Sequence, residues 1–495
     1  MHARRVREPG HDARAIRPTR SVSASGATSA RRPARRPTGP STPKDPFFAP
    51  GDGRRIIAAL ASGIVPGLGQ LINGRIRLAK WMGIPVLVLA AVVALQVATN
   101  SPARLFASIV SPTAMGILLA LNLLLVGWRL VAVIHAFFDG RYEARSGRAG
   151  AVGLALILLV VIVPHGIANA WGNSAQAAFS NVFAARSGAG PGAQVASTNT
   201  QLATNARLNI LVVGVDAFPT RTEMLTDSLM VVSIDPVGKT VSIVSLPRDI
   251  VRAPLGNGNV FAPKINSLMS YANRHKDQFP EGGMRTLEDA VGALLGVPIH
   301  YYARMDFLGF VKLVDSAGGV NIDVKKAFFD PVYDGLGVNP DGSQGWGITI
   351  GPHHLNGWEA LAYARSRYAP GESDFTRAAR QQEILLALKT RLMNGGNLLA
   401  NVPSMLTAFG DLLTTDIPTD RLPDLAALAE ELKPGAVYRM VVEHPLVGPG
   451  NDPTYGSVQI PDVAAIQKAV KAIFPAPGGT PIAWLATSAT SATTP

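Results

Sequence analysis

The sequence predicts a three-layer α/β domain that follows a multi-span α-helical membrane region. Three observations carry this expectation. Charge is segregated along the 495 residues: 1–55 hold a net +9, 56–172 a net +6 and 173–495 a net −3, within an overall +12. Between Trp81 and Ala185 lie three long stretches (Trp81 to Ala103, Leu105 to Trp128, Gly150 to Ala185) without Asp, Glu, Lys or Arg. Beyond them, short β-branched runs alternate with amphipathic helical ones, the pattern of a sheet covered by helices. The basic excess thus belongs to the apolar end of the chain, which argues for a membrane interface and against a basic nucleic-acid-binding globule. Cysteine is absent, which excludes disulfides, thiolate catalysis and cysteine-ligated zinc or iron–sulfur sites.

Residues 1–53 are rich in Arg, Pro, Ser, Thr and Gly, as in Arg31-Arg32-Pro33-Ala34-Arg35-Arg36-Pro37. Such a segment buries too little apolar surface to offset its ordering entropy and is expected to be a disordered, retained cytoplasmic tail. The membrane region, 54–172, is expected to hold spans near 81–99, 113–135 and 150–171, each close to the length that crosses a bilayer. Basic residues flank 56–73 on both sides (Arg54, Arg55, Arg75, Arg77, Lys80) and fill the 139–149 loop (Arg141, Arg145, Arg148), whereas the 100–112 loop holds only Arg104. The positive-inside rule then places the N-terminus in the cytoplasm and the C-terminal domain outside a cell membrane crossed three times. A span at 56–73 would break that assignment, so this stretch, with its Pro66-Gly67-Leu68-Gly69-Gln70 run, is read as an interfacial or re-entrant hairpin. Arg129, near the inner end of its span, is expected to snorkel, and His165 reads as a packing or hydrogen-bonding residue that faces no ionisable partner. Small polar residues at 173–206 suggest an extracytoplasmic linker, and 476–495 a disordered tail.

In the domain, 207–475, Asn209 to Val215, Ser228 to Ile234 and Thr240 to Leu246 read as strands, the last two joined by a hairpin turn at Asp235-Pro236-Val237-Gly238. Leu287 to Leu295, Phe307 to Ser316, Leu355 to Arg367, Phe375 to Leu392 and Asp420 to Leu432 have helical spacing, and Val320 to Val324 and Val437 to Val442 are further strands.

Two groups of residues are candidates for chemistry. Asp216 follows one apolar run and Asp227 precedes the next, so neighbouring strands would bring both carboxylates to one sheet edge. Two oxygen ligands with open positions suit magnesium, and capping aspartates would show the same spacing. Arg248 closes a strand, Arg365 and Arg367 close a helix, and Asp374, Arg377, Arg380, Gln381 and Gln382 open another, with 377 and 381 on one helical face. In a domain of negative net charge such arginines imply an anionic guest with phosphate geometry, or an ion-paired surface. No nucleophile elbow, P-loop or dinucleotide fingerprint is present, and adjacent His353-His354 lacks the spacing of a metal-chelating helix face.

The ordered series of motifs is what distinguishes these readings. Asn209-Ile210-Leu211 to Asp216, Thr226-Asp227-Ser228, Ser245-Leu246-Pro247-Arg248-Asp249, Lys264-Ile265-Asn266, Tyr302 to Phe307, Gly318-Gly319-Val320, Leu355-Asn356-Gly357 through Ala360 to Arg367, and Asp374 to Gln382 together resemble the LytR–CpsA–Psr (LCP) family of cell-wall glycopolymer transferases. The resemblance covers about 208–394. It implies an LCP-type mixed sheet flanked by helices, with an apolar groove for a polyprenyl lipid. It also implies a phosphotransferase that moves a glycan from a polyprenyl-pyrophosphate carrier to peptidoglycan and releases polyprenyl phosphate, with no nucleic-acid partner. On this resemblance Asp216 and Asp227 hold magnesium or manganese. Arg248, Arg365, Arg367, Arg377 and Gln381 bind pyrophosphate, with Lys264 assisting. Asp374 orients the arginines or takes the acceptor proton. The family usually places Arg before the matching Thr-Asp; here Leu225 stands there, and Arg221 is the candidate substitute from the preceding loop. The alternatives are a polyprenyl-pyrophosphate hydrolase and a non-catalytic binder of lipid-linked glycan that regulates envelope biogenesis.

The topology is open to a direct test. A reporter fused after residue 145 is expected in the cytoplasm and one fused after residue 180 outside; the reverse pattern rejects three spans with the N-terminus inside.

Overall fold

The computed structural model describes residues 47–109, 111–182, 206–216, 224–334, 337–339, 341–394, 413–432 and 436–482. Most of the basic tail, most of the expected linker, the end of the C-terminal tail and Arg221 lie outside the described residues.

Among the described residues the N-terminal part holds six helices: α1 (Asp52–Ile64), α2 (Leu68–Ile72), α3 (Ile76–Thr99), α4 (Pro102–Ile109), α5 (Pro112–Phe137) and α6 (Arg148–Val182). Three of them, α3, α5 and α6, are long and apolar enough to cross a membrane. Each contains one expected span and extends past it at both ends or at one. The 56–73 stretch folds as α1 and α2 joined by a tight turn, and α1 packs Ala59 against Val133 and Phe137 of α5 and Ile157 and Val161 of α6. Its glycines are required by close approach. At Gly67 (φ +101°) a Cβ would sit 2.4 Å from the Ala79 carbonyl oxygen, and at Gly69 2.0 Å from that of Ala58. Gln70 and Asn73 are buried and donate to the carbonyls of Ala132 and Ala136 on α5, at 2.8 Å each.

Two expectations are corrected here. Arg129 does not snorkel: its Nε donates to the Gly63 carbonyl (2.9 Å), one of the acceptors left over at the end of α1. His165 does face an ionisable partner, since Arg129 Nη1 lies 3.0 Å from its Nε2 while its Nδ1 meets Asn122 Oδ1 at 2.5 Å. An apolar environment rewards this closed network more than a route for the arginine to the surface.

The basic clusters assigned to one side gather at one end of the helices. Arg75 pairs with Asp139 (2.6 Å), Arg141 donates to the Asn73 carbonyl and Arg55 to that of Ala144.

The C-terminal domain is built on a six-stranded mixed sheet. Its strands are β1 (Leu208–Asp216), β2 (Leu225–Asp235), β3 (Thr240–Leu246), β6 (Tyr301–Asp306), β11 (Leu413–Thr415) and β12 (Val437–Val441), in the order β11-β6-β1-β2-β3-β12. β1 runs antiparallel to β2 and parallel to β6. Two-stranded ladders pair β4 (Ala253–Pro254) with β5 (Val260–Phe261), β7 (Val320–Val324) with β10 (Gly351–Leu355), β8 (Phe328–Asp330) with β9 (Trp346–Ile348), and β13 (Val447–Asp452) with β14 (Gly456–Pro461).

Strand alternation sends Leu211, Val213, Leu229, Val231 and Val244 into one face. They pack there against α7 (Leu268–Arg274), α8 (Gly283–Leu295) and α13 (Val463–Ile473). Met230 and Ile243 face the other way, against Leu385 and Leu386 of α11 (Asp374–Asn394). Truncating a fully buried side chain such as Leu294 costs about 2–5 kcal/mol in such a core. A second cluster joins α9 (Phe307–Ser316), α10 (Gly357–Arg365), β7, β10 and α11. The three-layer mixed sheet is therefore as expected. One helix is shorter than its apolar spacing suggests: Leu355 closes β10, and the Asn356–Glu359 capping box starts α10 only after it. His353 and His354 sit on β10 and bond to the Thr349 carbonyl and to Asn321 Oδ1, at 2.9 and 2.7 Å, with no joint site.

Helix α4 meets α12 (Leu422–Glu431) of the domain. Arg104 pairs with Glu430 (3.2 Å) and Glu431 (3.8 Å), and Ser101 donates to Glu430. The chain has no cysteine, so Ser101→Cys with Glu430→Cys gives a background-free test. A short bis-maleimide is expected to link the two positions in intact membranes; no product would place the 100–112 loop away from the domain.

Candidate functional site

The central device is a one-residue slip in the β1–β2 ladder. Gly214 pairs with Ser228 but Val215 pairs with Thr226, so Asp227 is the extra residue of a β-bulge. In strict alternation Asp227 would share the face of Leu229 and Val231 and point into the α7–α8–α13 layer. The bulge turns it out, and Leu225, Asp227 and Ser228 all line one cleft, while Thr226 points inward to the Asn266 carbonyl (3.2 Å). Asp216 ends β1 in step with Val212, on the α11 face, and lines the same cleft. The two aspartates that the spacing paired are thus brought together.

Four arginines complete the lining of this cleft of about 260 Å³: Arg248 after β3, Arg365 at the end of α10, Arg367 just beyond it and Arg377 on α11, with Gln381 one turn further along. Arg248 Nη1 donates to Asp227 Oδ1 at 2.6 Å. Burial works against its charge, but Asp227, then Asp249 and Asp374, raise its affinity for the proton above the ordinary value. Arg377 is 6 % exposed; burial weakens its hold on the proton, and Asp374 at 3.3 Å opposes that. Arg365 lies over the Phe307 ring at 4.3 Å and 3.6 Å from Asp334.

Lys264 and Asp374 do not line the cleft. Lys264 pairs with Asp249 (2.7 Å), and Asp374 stands behind Arg377 and, at 4.0 Å, Arg367. Asp374 therefore braces the arginines. Burial alone would raise its pKa, but Arg377, a hydrogen bond from Asp249, Arg248 and Lys264 hold it below the usual carboxylate value. Asp249 is raised instead, by burial and by that shared hydrogen bond. Arg380 and Gln382 are structural: Arg380 pairs with Glu372 (2.6 Å) over the Phe328 ring, and Gln382 bridges Ser245 and the Met440 carbonyl.

Sequence reading missed Asp330, Tyr333, Asp334 and Tyr368, which also line the cleft. Asp330, 1 % exposed, accepts the backbone N–H groups of Arg367 (2.8 Å) and Tyr368 (3.1 Å) and so fixes the arginine segment. No motif marks 328–334. The available signal is an aspartate inside an aromatic run, and it is weak.

No cluster of three His, Asp or Glu suited to a metal occurs among the described residues. Asp216 and Asp227 offer an all-oxygen, two-carboxylate set beside open cleft. That set fits a hard divalent cation taking its other ligands from water and phosphate, as magnesium does.

A cleft at the ends of β1 and β2 that gathers four guanidiniums among four carboxylates has the charge pattern of an anion-binding site on a mixed α/β domain. The chain belongs to the LytR_cpsA_psr family, whose model matches residues 176–471. It is 34% identical over 191 residues to the polyisoprenyl-teichoic acid–peptidoglycan teichoic acid transferase TagV of Bacillus subtilis, covering 38% of this chain and 45% of that protein. It is 28% identical over 224 residues to the cell wall biosynthesis protein LcpA of Corynebacterium glutamicum, covering 42% of this chain and 40% of that one. The chain thus spans about half the length of the curated relatives it matches. The crystal structure of Bacillus subtilis TagV aligns with a TM-score of 0.43 at 26% identity, over 54% of this chain and 96% of that one.

The bracing role of Asp374 has a pH signature. Its lowered pKa means that its stabilisation is present above the ordinary carboxylate range and is lost as pH falls through the lowered value. Asp374→Asn is expected to cost about 1–3 kcal/mol at pH 7, with the deficit shrinking toward pH 3 in thermal unfolding of the full chain. A deficit independent of pH would remove charge from the explanation.

Proposed function

We propose that the chain is a membrane-anchored phosphotransferase that moves a glycopolymer from a polyprenyl-pyrophosphate carrier to peptidoglycan. One observation carries this reading: Asp216 and Asp227 converge with four arginines and a glutamine on one cleft in the part of the chain whose net charge is −3. Family membership and the transferase name of the TagV relative support it.

In the proposed step, a primary hydroxyl of peptidoglycan attacks the phosphorus next to the glycan. The new oxygen–phosphorus bond forms as the bond to polyprenyl phosphate breaks, and the hydroxyl proton leaves with the departing phosphate. The glycan is left joined to the wall by a phosphodiester. Arg248, Arg365, Arg367 and Arg377 hold the pyrophosphate oxygens and stabilise the charge that develops in transfer. Gln381, whose Nε2 also reaches the Ala364 carbonyl (3.3 Å), adds a neutral donor. Magnesium or manganese between Asp216 and Asp227 would neutralise phosphate charge. Asp374 stays ionised and positions Arg377 and Arg367 rather than taking the proton, because those cations oppose its protonation.

Three spanning helices would put the N-terminus inside and the domain outside. The gathering of Arg55, Arg75 and Arg141 at one helix end, and the contact of α4 with the domain, support that arrangement.

Arg365→Ala or Asp227→Ala, expressed alone in cells lacking other family members, is expected to lower glycan attachment to the wall at least a hundredfold with the protein still present. Undiminished attachment rejects the transferase reading. Polyprenyl phosphate released by the unaltered chain without glycan reaching the wall would make it a hydrolase.

A further inference from the structure

One wall of the cleft is the segment 330–334, which none of the family motifs covers. Asp330 anchors it by accepting the Val332 N–H (3.0 Å) together with those of Arg367 and Tyr368. The next aromatic side chain, Tyr333, is 6 % exposed, rests its ring against Trp346 (6.4 Å between centroids) and lines the cleft. Its backbone carbonyl is taken by the Gly345 N–H (2.8 Å). Its hydroxyl is different. The polar groups around it are the Arg365 guanidinium, which has donors only and approaches the phenol oxygen, and the carboxylates of Asp334 and Asp330, neither of which accepts from the hydroxyl. Arg365 Nη1 is in the same condition: buried, without a hydrogen-bond acceptor, and 3.6 Å from Asp334.

Two buried donors side by side on one cleft wall call for an acceptor that the protein does not supply. We infer that Tyr333 is a further substrate-binding residue, which donates its hydroxyl to a phosphoryl oxygen held at the same time by Arg365. The inference rests on the pyrophosphate reading of the cleft and extends it to a neutral donor outside the arginine set. Such a donor adds a hydrogen bond to the anion without adding to the repulsion among four cations. Burial pushes the phenol up to about 12, with Arg365 opposing, so the group keeps its proton at any working pH and serves as a donor, not a base. Leu225, which also lines the cleft, supplies no donor, so each remaining one carries more of the discrimination between pyrophosphate and other anions.

The test uses the full chain in detergent with farnesyl pyrophosphate and magnesium, titrated by calorimetry alongside thermal unfolding. Tyr333→Phe is expected to weaken binding about ten- to hundredfold, the range of one hydrogen bond to a charged acceptor. The Tm without ligand is expected to stay the same or rise, because the variant removes a buried hydroxyl that has no acceptor. Unchanged affinity in Tyr333→Phe while Arg365→Ala binds more weakly overturns the role of Tyr333 and leaves the pyrophosphate reading in place. Unchanged affinity in both variants overturns both. A lower Tm in Tyr333→Phe assigns the hydroxyl to the fold and overturns the inference.

Discussion

Like charges resist being gathered, and the site depends on how this chain overcomes that. Four guanidiniums on one cleft, in a partly desolvated setting, repel one another strongly enough to unfold a marginal domain. Each is met by a carboxylate: Asp227 on Arg248, Asp374 on Arg377 and Arg367, Asp334 beside Arg365. Asp249 and Lys264 extend the network away from the cleft. The pairing explains how a domain of net negative charge can gather four guanidiniums on one cleft, where Asp216, Asp227, Asp330 and Asp334 stand among them. Asp227 and Asp334 line the cavity beside their arginines, and Asp374 stands behind Arg377 and Arg367. It also explains why removing a single member is costly, since a buried ion left alone loses far more than the pair gained.

The apolar helices of the N-terminal part obey the same rule. Arg129 and His165 survive among apolar helices because each meets a partner, the Gly63 carbonyl for one and Asn122 for the other. Gln70 and Asn73 take carbonyls of α5, and Asp139 takes Arg75. The hairpin of α1 and α2 is held by these polar contacts as much as by the packing of Ala59.

Much of this was legible in the sequence, and the failures have physical causes. Apolar runs gave β1, β2 and β3 because burial on both faces leaves little freedom of composition, and the three long helices because their apolar runs carry few charges. Asp216, Asp227, Arg248, Arg365, Arg367, Arg377 and Gln381 could be found because their motifs are contiguous. β6 was not recognised as a strand: Tyr301-Tyr302-Ala303-Arg304-Met305-Asp306 has no clean alternation, and its pairing with β1 comes from tertiary context. Leu355 was given to a helix because a strand end and a helix start are equally apolar there. Asp330 and Tyr333 owe their importance to contacts with residues more than thirty positions away, Arg367 and Arg365, which local spacing does not encode. The partner of His165 was missed for the same reason. Arg129 is on another helix, and a one-dimensional reading credited it with a path to the surface.

The slip at Asp227 has a consequence for how the domain can change. A strand has parity: odd positions feed one layer and even positions the other, so a substitution is confined to its own side, while an insertion ordinarily exchanges the two sides. By absorbing one extra residue near the start of β2, the bulge uncouples the parity of the cleft from that of the core. The residues from Leu229 onward keep their places whatever happens at 225–228. Loss of one residue there would straighten the strand and carry a site carboxylate to the core side, while the residues from Leu229 onward keep their register. Chemistry and folding are thus written in two reading frames on a single strand, and lineages can lose the first while inheriting the second intact.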